Sequence, residues 1–296
     1  MHPPSWHAAL TADECGRACA VAGIGHRDLQ RYAATYPALF PAQPFDGTFL
    51  AALALAGAFA APWCEAPRLR AANRAGLFVF GLDYLVENAA VSPAGIVDPL
   101  LAVADGAAPT GDAPLTRPLA DLRDELATAP AYPALRPLWR DALASMLAAM
   151  VREYGWKAAQ TADCAVTPPT LSEYVDNSDS VGFLFVYLSH WIATTEQPCP
   201  RHTEELVAAG RGAQQVLRLV NDLGTAKRER YSGDVNALAL GAAPADVLAH
   251  IAQRRGRCRT LLDRLRGHHP ELTGYLDRQM SFNEGLYRLG DYWGEP

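Results

Sequence analysis

Asn221, Thr225 and Glu229 recur four residues apart in the stretch Val220-Asn-Asp-Leu-Gly-Thr-Ala-Lys-Arg-Glu-Arg-Tyr231. On a continuous helix each such step turns by about 40° and climbs about 6 Å, so an amide oxygen, a hydroxyl and a carboxylate share one narrow face. All three are hard oxygen donors, suited to Mg²⁺ rather than to zinc or copper. A Mg²⁺ held by so few protein groups keeps positions open for water or phosphate oxygens. Arg228 brings a cation next to the same place. The competing reading is a solvated, salt-bridged helix face. A second acidic site weighs against it: Asp83 and Glu87, at i and i+4, sit on the otherwise apolar stretch Leu77 to Asn88. Buried carboxylates are costly unless they are paired or hold a metal. The alternative for this pair is a helix end where both point to solvent.

The elements that must carry these groups are helices. The chain has 296 residues, half of them hydrophobic and 20% charged, enough for a sizeable core. Ala and Leu dominate and β-branched residues are sparse, which points to an all-α fold. Apolar residues at i, i+3 and i+4 predict helices over 11–35, 47–61, 68–90, 117–128, 134–160, 170–195, 202–231, 243–267 and 270–289. Clusters of Pro and Gly punctuate them. The Gly-, Pro- and Asp-rich stretch from Asp105 to Thr116 reads as the most mobile loop. Helices apolar over most of their circumference, at 77–90 and 181–192, belong at the centre of a bundle. We expect residues 1–296 to form one domain, an antiparallel helical bundle around a central apolar cavity.

The formal net charge is −6, and the only basic cluster is Arg254-Arg255-Gly256-Arg257. A nucleic-acid binder carries a concentrated basic footprint, which is lacking here. The longest apolar run, Phe49 to Ala61, is far short of the ~20 residues a bilayer span needs, and it lies too far inside to be a signal peptide. A cytoplasmic protein with no membrane span is expected. The six cysteines, Cys15, Cys19, Cys64, Cys164, Cys199 and Cys258, read as reduced thiols with no metal role: Cys15 and Cys19 lie one helical turn apart, but no matching His/Cys pair completes a zinc site.

With both acidic stretches in view, the chain resembles the class I terpene synthases. That family carries DDxx(D/E) on one helix and (N/D)Dxx(S/T)xx(K/R)E on a facing one. Asn221 to Glu229 matches the second motif at every specified position, and Gly233-Asp234-Val235-Asn236 continues as family members often do. Asn221 lies 138 residues beyond Asp83 (221 − 83), as the pairing of the two motifs requires. The first motif is degenerate: Tyr84 stands where the family has a second Asp, leaving Asp83 as the main ligand with Glu87 beside it. The segment Glu173-Tyr-Val-Asp-Asn-Ser-Asp-Ser-Val-Gly182 lacks the Arg with which many microbial sesquiterpene cyclases sense diphosphate. Its Asn-Ser-x-Ser-x-Gly run is more similar to labdane-related diterpene synthases. The Arg-Tyr pair often found near the C-terminus appears as Asp291-Tyr292, with Arg288 one turn earlier.

The resemblance implies ionisation of a prenyl diphosphate with three Mg²⁺ ions. Asp83 would serve on one side, Asn221, Thr225 and Glu229 on the other, with Arg228 assisting; Asp222, about 100° round the helix, would make a structural contact. A carbocation needs a dry, aromatic-walled pocket, for which Phe59, Phe78, Phe80, Trp156, Phe183, Tyr187, Trp191, Tyr287 and Trp293 are candidates, with Arg288 and Tyr292 nearby. Taken singly, each reads sooner as ordinary core packing. Gly182, inside an apolar run, marks a helix break with a carbonyl facing the substrate, or else a close helix contact. The preferred substrate is a C20 labdadienyl (copalyl-type) diphosphate. No DxDD motif occurs, so a separate class II cyclase would have to supply it. Farnesyl and geranylgeranyl diphosphate are the alternatives. Prenyl chain elongation and a non-catalytic helical binding module are the competing readings from other classes. Homodimers are common in the family.

Overall fold

The computed structural model describes residues 10–88, 92–110, 114–161 and 168–294. Among them are eleven α-helices and no strand: α1 (Ala12–Thr35), α2 (Gly47–Ala60), α3 (Ala66–Asn88), α4 (Ala94–Ala104), α5 (Thr116–Ala127), α6 (Tyr132–Thr161), α7 (Leu171–Asp176), α8 (Phe183–Thr194), α9 (Thr203–Ser232), α10 (Pro244–Leu265) and α11 (Pro270–Tyr287). Local chemistry fixes several starts. Thr11 and Glu14 form a reciprocal capping box on α1, and Thr170 and Glu173 do the same for α7. Asp46 caps α2 by accepting from the amides of Thr48 and Phe49 at 2.8 and 2.9 Å.

Two expectations need correction. The single helix expected over 170–195 is three pieces: α7, a 3₁₀ turn over Ser178–Val181, and α8. Gly182 is the break, at φ +70°, and a Cβ there would lie 2.6 Å from the Met146 sulfur and 2.8 Å from Val79. Both the break and the close packing are therefore real. The Gly182 carbonyl, however, accepts from Val186 N at 3.3 Å, as an ordinary first helical turn requires. The other correction is α4, a helix between 68–90 and 117–128 that the periodicity did not lead us to expect. Pro93 is its N-cap, and Pro99 is carried within a helix that is apolar apart from Asp98. Of the loop expected at Asp105 to Thr116, residues 111–113 lie outside the described residues; Thr116 itself begins α5.

The most apolar helices are central, as their composition demands. Nine of the twelve residues of α8 are buried, and α3 buries Ala75, Leu77, Phe78, Val79 and Leu82. α3 packs on α8; α9 packs on α10 and α11; α11 packs on α2, which packs on α1. The last turns of α3, α6, α9 and α11 all reach the rim of one cavity. The partial negative charge of helix C-termini therefore collects at that rim.

Candidate active site

The α9 side of the rim is held by a set of hydrogen bonds. Asn221 Nδ2 donates to Tyr287 Oη at 2.9 Å, which aligns the amide and leaves Oδ1 as an acceptor. Thr225 is buried, and its hydroxyl donates to the Asn221 carbonyl at 2.8 Å, within reach of Glu229. Glu229 accepts from Asn236 Nδ2 at 2.7 Å, and the same nitrogen donates to the Asp222 carbonyl at 2.9 Å. The turn after α9 thus folds Gly233-Asp-Val-Asn236 back onto the motif. Arg228 Nε donates to Asp291 at 3.1 Å. Gly224 has a steric reason: a Cβ there would meet Tyr287 Cδ1 at 2.6 Å, so only glycine lets the tyrosine ring lie against α9 and reach Asn221.

The α3 side differs. Asp83 and Glu87 both line the cavity, as the i, i+4 spacing predicted, but neither has a hydrogen-bond partner among the described residues. Burial, with Glu153, Asp234 and Glu229 nearby, pushes the Asp83 carboxyl up to about 7. Glu87 opens towards solvent at the rim. Its pKa is raised by the protein packed around it and by Asp83 one turn below. Burial raises Glu229 as well, against the pull of its hydrogen bonds and of Arg218 and Arg228. Five carboxylates (Asp83, Glu87, Glu153, Glu229, Asp234) face three cations (Lys157, Arg218, Arg228) around the rim. Fully ionised, it would carry two uncompensated negative charges. The donor types and this deficit of positive charge both fit a hard divalent cation.

Beneath the rim the cavity, about 440 Å³ in volume, is lined mainly by apolar side chains, with Asn73, Ser180, Gln279 and Asn283 among them. Phe80 from α3, Phe183 from α8, Tyr275 and Tyr287 from α11, and Tyr292 and Trp293 beyond α11 supply aromatic wall. Phe80 meets Trp293 edge-on at 5.3 Å and Tyr292 at 5.2 Å. Several candidates lie elsewhere. Tyr187 and Trp191 continue down α8 below the floor, where Tyr187 closes against Gly210 and the two rings pack at 5.9 Å. Phe78 packs on Phe185 and Phe59 on Phe282, while Gly182 and Trp156 are also absent from the lining. Arg288 projects into solvent and pairs with Glu284 at 2.6 Å. Thr225 sits one layer behind the lining.

A family model described as "Terpene synthase family 2, C-terminal metal binding" matches residues 89–240, just over half of the chain. The chain belongs to this terpene synthase family. It is a class I terpene synthase, a lyase acting on prenyl diphosphates. The matched region contains the whole Asn221–Glu229 motif and begins just beyond Asp83 and Glu87. Sequence comparison with curated proteins finds no match. Solved structures with the same fold include linalool/nerolidol synthase from Streptomyces clavuligerus in complex with 2-fluorogeranyl diphosphate, at 15% identity and TM-score 0.66, covering 91% of this chain and 94% of that one. Hedycaryol synthase in complex with nerolidol is 18% identical, at TM-score 0.65 and 89% and 93% coverage. 2-Methylisoborneol synthase from Streptomyces coelicolor A3(2), with Mg²⁺ and 2-fluorogeranyl diphosphate, is 16% identical, at TM-score 0.63 and 89% and 90% coverage.

Glu153 and Lys157 on the rim and Tyr275 in the wall of this terpene synthase escaped the sequence reading, and so did Arg218. Arg218, buried on α9, donates through Nε to Tyr174 Oη at 2.6 Å and through Nη1 to Ser180 Oγ at 3.0 Å; it also pairs with Glu153 and, at 3.5 Å, with Asp222. Tyr174 Oη donates to Asp222 at 2.7 Å, so Asp222 makes the structural contact its helical angle predicted. The segment 173–182 has no Arg of its own, but the fold brings one to it from α9. The available signal was a lone arginine in the apolar run Val216-Leu217-Arg218-Leu219-Val220. A buried guanidinium needs several acceptors, and here it has them.

Proposed function

We propose that this synthase binds a C20 prenyl diphosphate of the bicyclic labdadienyl type, supplied by a separate class II cyclase, and ionises it at the acidic rim. Asp83 and Glu87 from α3 and Asn221, Thr225 and Glu229 from α9 would hold Mg²⁺, with three ions per site in keeping with the family resemblance. The chemistry Mg²⁺ would supply when held there is neutralisation of the diphosphate, which would stabilise its departure as an anion. The observation that carries this reading is two sets of oxygen donors, on α3 and α9, at the mouth of one aromatic-walled cavity.

The chain's own groups do the rest. Arg228, oriented by Asp291, turns its remaining N–H donors to a phosphate oxygen where negative charge develops. Tyr287 keeps the Asn221 amide from rotating. Phe80, Phe183, Tyr287, Tyr292 and Trp293 exclude water from the allylic carbon chain, and their faces attract a carbocation by about 2 kcal/mol each where desolvated. The small residues Ala56, Gly57, Ala72 and Gly76 leave room at the base for the far end of the chain. The whole reaction belongs to one domain spanning 1–296, in a homodimer.

A shorter substrate, farnesyl or geranyl diphosphate, is favoured by the likeness to the synthase solved with 2-fluorogeranyl diphosphate. Incubation of the enzyme and Mg²⁺ with labdadienyl, geranylgeranyl, farnesyl and geranyl diphosphate in turn, with product analysis by gas chromatography and mass spectrometry, separates the two. Hydrocarbon or alcohol products are expected from the labdadienyl substrate. Turnover of only the C10 or C15 substrates rejects the C20 reading, and diphosphate release from none of them rejects the site.

A further inference from the structure

A second constellation lies at the other end of α9. Cys199, His202 and His269 each offer a ligand atom, and these atoms lie within 4.8 Å of one another, the only such group of His, Cys, Asp or Glu among the described residues. His202 Nδ1 and His269 Nε2 are 3.1 Å apart. Two nitrogens bound to one tetrahedral zinc, at about 2.0–2.1 Å each, stand roughly 3.3 Å apart, so the rings are already near the spacing a metal would impose. The Cys199 thiol is free and accessible, and closing it onto such a metal takes a movement on the order of 1 Å.

The backbone is arranged to bring the three together. Cys199 caps the 3₁₀ turn Pro200–His202, whose three-residue period sets Cys199 and His202 on one side. Thr203 Oγ1 donates to the Cys199 carbonyl at 3.2 Å. His202 precedes α9 and His269 precedes α11. The two helices run parallel from this point, because 19 residues above His202 and 18 above His269 stand Asn221 and Tyr287, which are hydrogen-bonded. Both intervals correspond to roughly 28 Å of helix. α9 and α11 are thus joined at the rim by one pair and face each other at the base through another.

We propose that Cys199, His202 and His269 form a binding site for Zn²⁺ or a similar borderline-soft divalent ion, with solvent at a fourth position, tying the start of α9 to the start of α11. The thiolate and imidazole donors select against Mg²⁺, while the oxygen donors of the rim favour it, so the two kinds of ion sort to opposite ends of the bundle. The sequence reading dismissed a metal role for the cysteines. The Cys-x-x-His half of this site is visible in the chain, but its third ligand lies 67 residues past His202.

The test uses the full-length protein without a histidine tag, stripped of metal and returned to excess Mg²⁺ so that the oxygen sites are filled. Co²⁺ should bind with one equivalent showing a thiolate-to-cobalt charge-transfer band and tetrahedral visible absorption, and Zn²⁺ should displace it. Cys199→Ser should remove the charge-transfer band, and His269→Gln should weaken Zn²⁺ binding by at least about tenfold. Zn²⁺ should raise the melting temperature of the wild type and not of Cys199→Ser, with circular dichroism confirming that both are folded. Absence of the band in the wild type, or its survival in Cys199→Ser, overturns the proposal. Should His269→Gln fail to fold, the Cys199→Ser comparison decides alone, since that thiol is exposed.

Discussion

The two sides of the rim are built on different principles. On α9 each polar group already has a partner: Asn221 with Tyr287, Thr225 with the Asn221 carbonyl, Glu229 with Asn236, Arg228 with Asp291. On α3, Asp83 and Glu87 have no hydrogen-bond partner among the described residues; Glu153, Asp234 and Glu229 crowd Asp83, and Asp83 and Asp234 act on Glu87 against Arg228 and Lys157. One side is set before any ligand arrives; the other crowds carboxylates together, a repulsion that the proposed metal would relieve. The oxygens of α9 are held by geometry, and those of α3 are tuned by charge.

The largest expected effect tests whether both sides are needed. Asn221→Ala, Glu229→Ala and Asp83→Asn should each lower turnover by at least about 100-fold, measured by diphosphate release. Near-normal release from Asp83→Asn would leave α9 as the whole site. Next comes the anchoring of α9. Arg218→Met leaves Glu153 and Asp222 without their buried cation and should cost about 3–5 kcal/mol in urea denaturation. A cost below about 1 kcal/mol would show that the buried web does not hold the helix.

A subtler substitution separates position from chemistry. Gly224→Ala introduces a Cβ into Tyr287, displaces the ring and frees the Asn221 amide; kcat should fall about tenfold while the melting temperature moves little. Equal activity would mean that the Asn221–Tyr287 pair is dispensable. The smallest effect concerns pH. A carboxyl raised from near 4 to about 7 in the fold binds its proton more tightly there than in the unfolded chain. Its contribution to stability is complete below about pH 4 and lost as pH rises through about 7. Thermal denaturation of the metal-free enzyme should show a fall over that window that is shallower in Asp83→Asn, and Mg²⁺ should restore more stability at about pH 8 than at about pH 5. Identical slopes for wild type and Asp83→Asn would remove the idea of repulsion on α3.

Legibility followed the range of the physics. The i, i+4 spacing of Asn221, Thr225 and Glu229, and of Asp83 and Glu87, survives into the fold because helical geometry is local and both helices form as predicted. Asp222 turned inward for the same reason. The aromatic wall was only half legible: Phe80, Phe183, Tyr287, Tyr292 and Trp293 face the cavity, while Tyr187 and Trp191 do not, since how far down α8 the cavity extends depends on α9 and α11. Arg218 looked like an interruption of an apolar stripe until Tyr174, Ser180, Glu153 and Asp222 arrived around it from other segments.

The sequence by itself determined that the chain is helical, which helices lie inside, and which oxygen donors each of two helices presents on one face. These follow from periodicity and capping within a few turns. Only the tertiary structure decided that those faces look across one cavity, that an arginine from α9 serves Tyr174 and Ser180, 44 and 38 residues earlier, and that Cys199 and His202 meet His269. Such meetings depend on packing between elements distant in the chain, where burial of apolar surface sets the arrangement and the polar groups are carried into place with it.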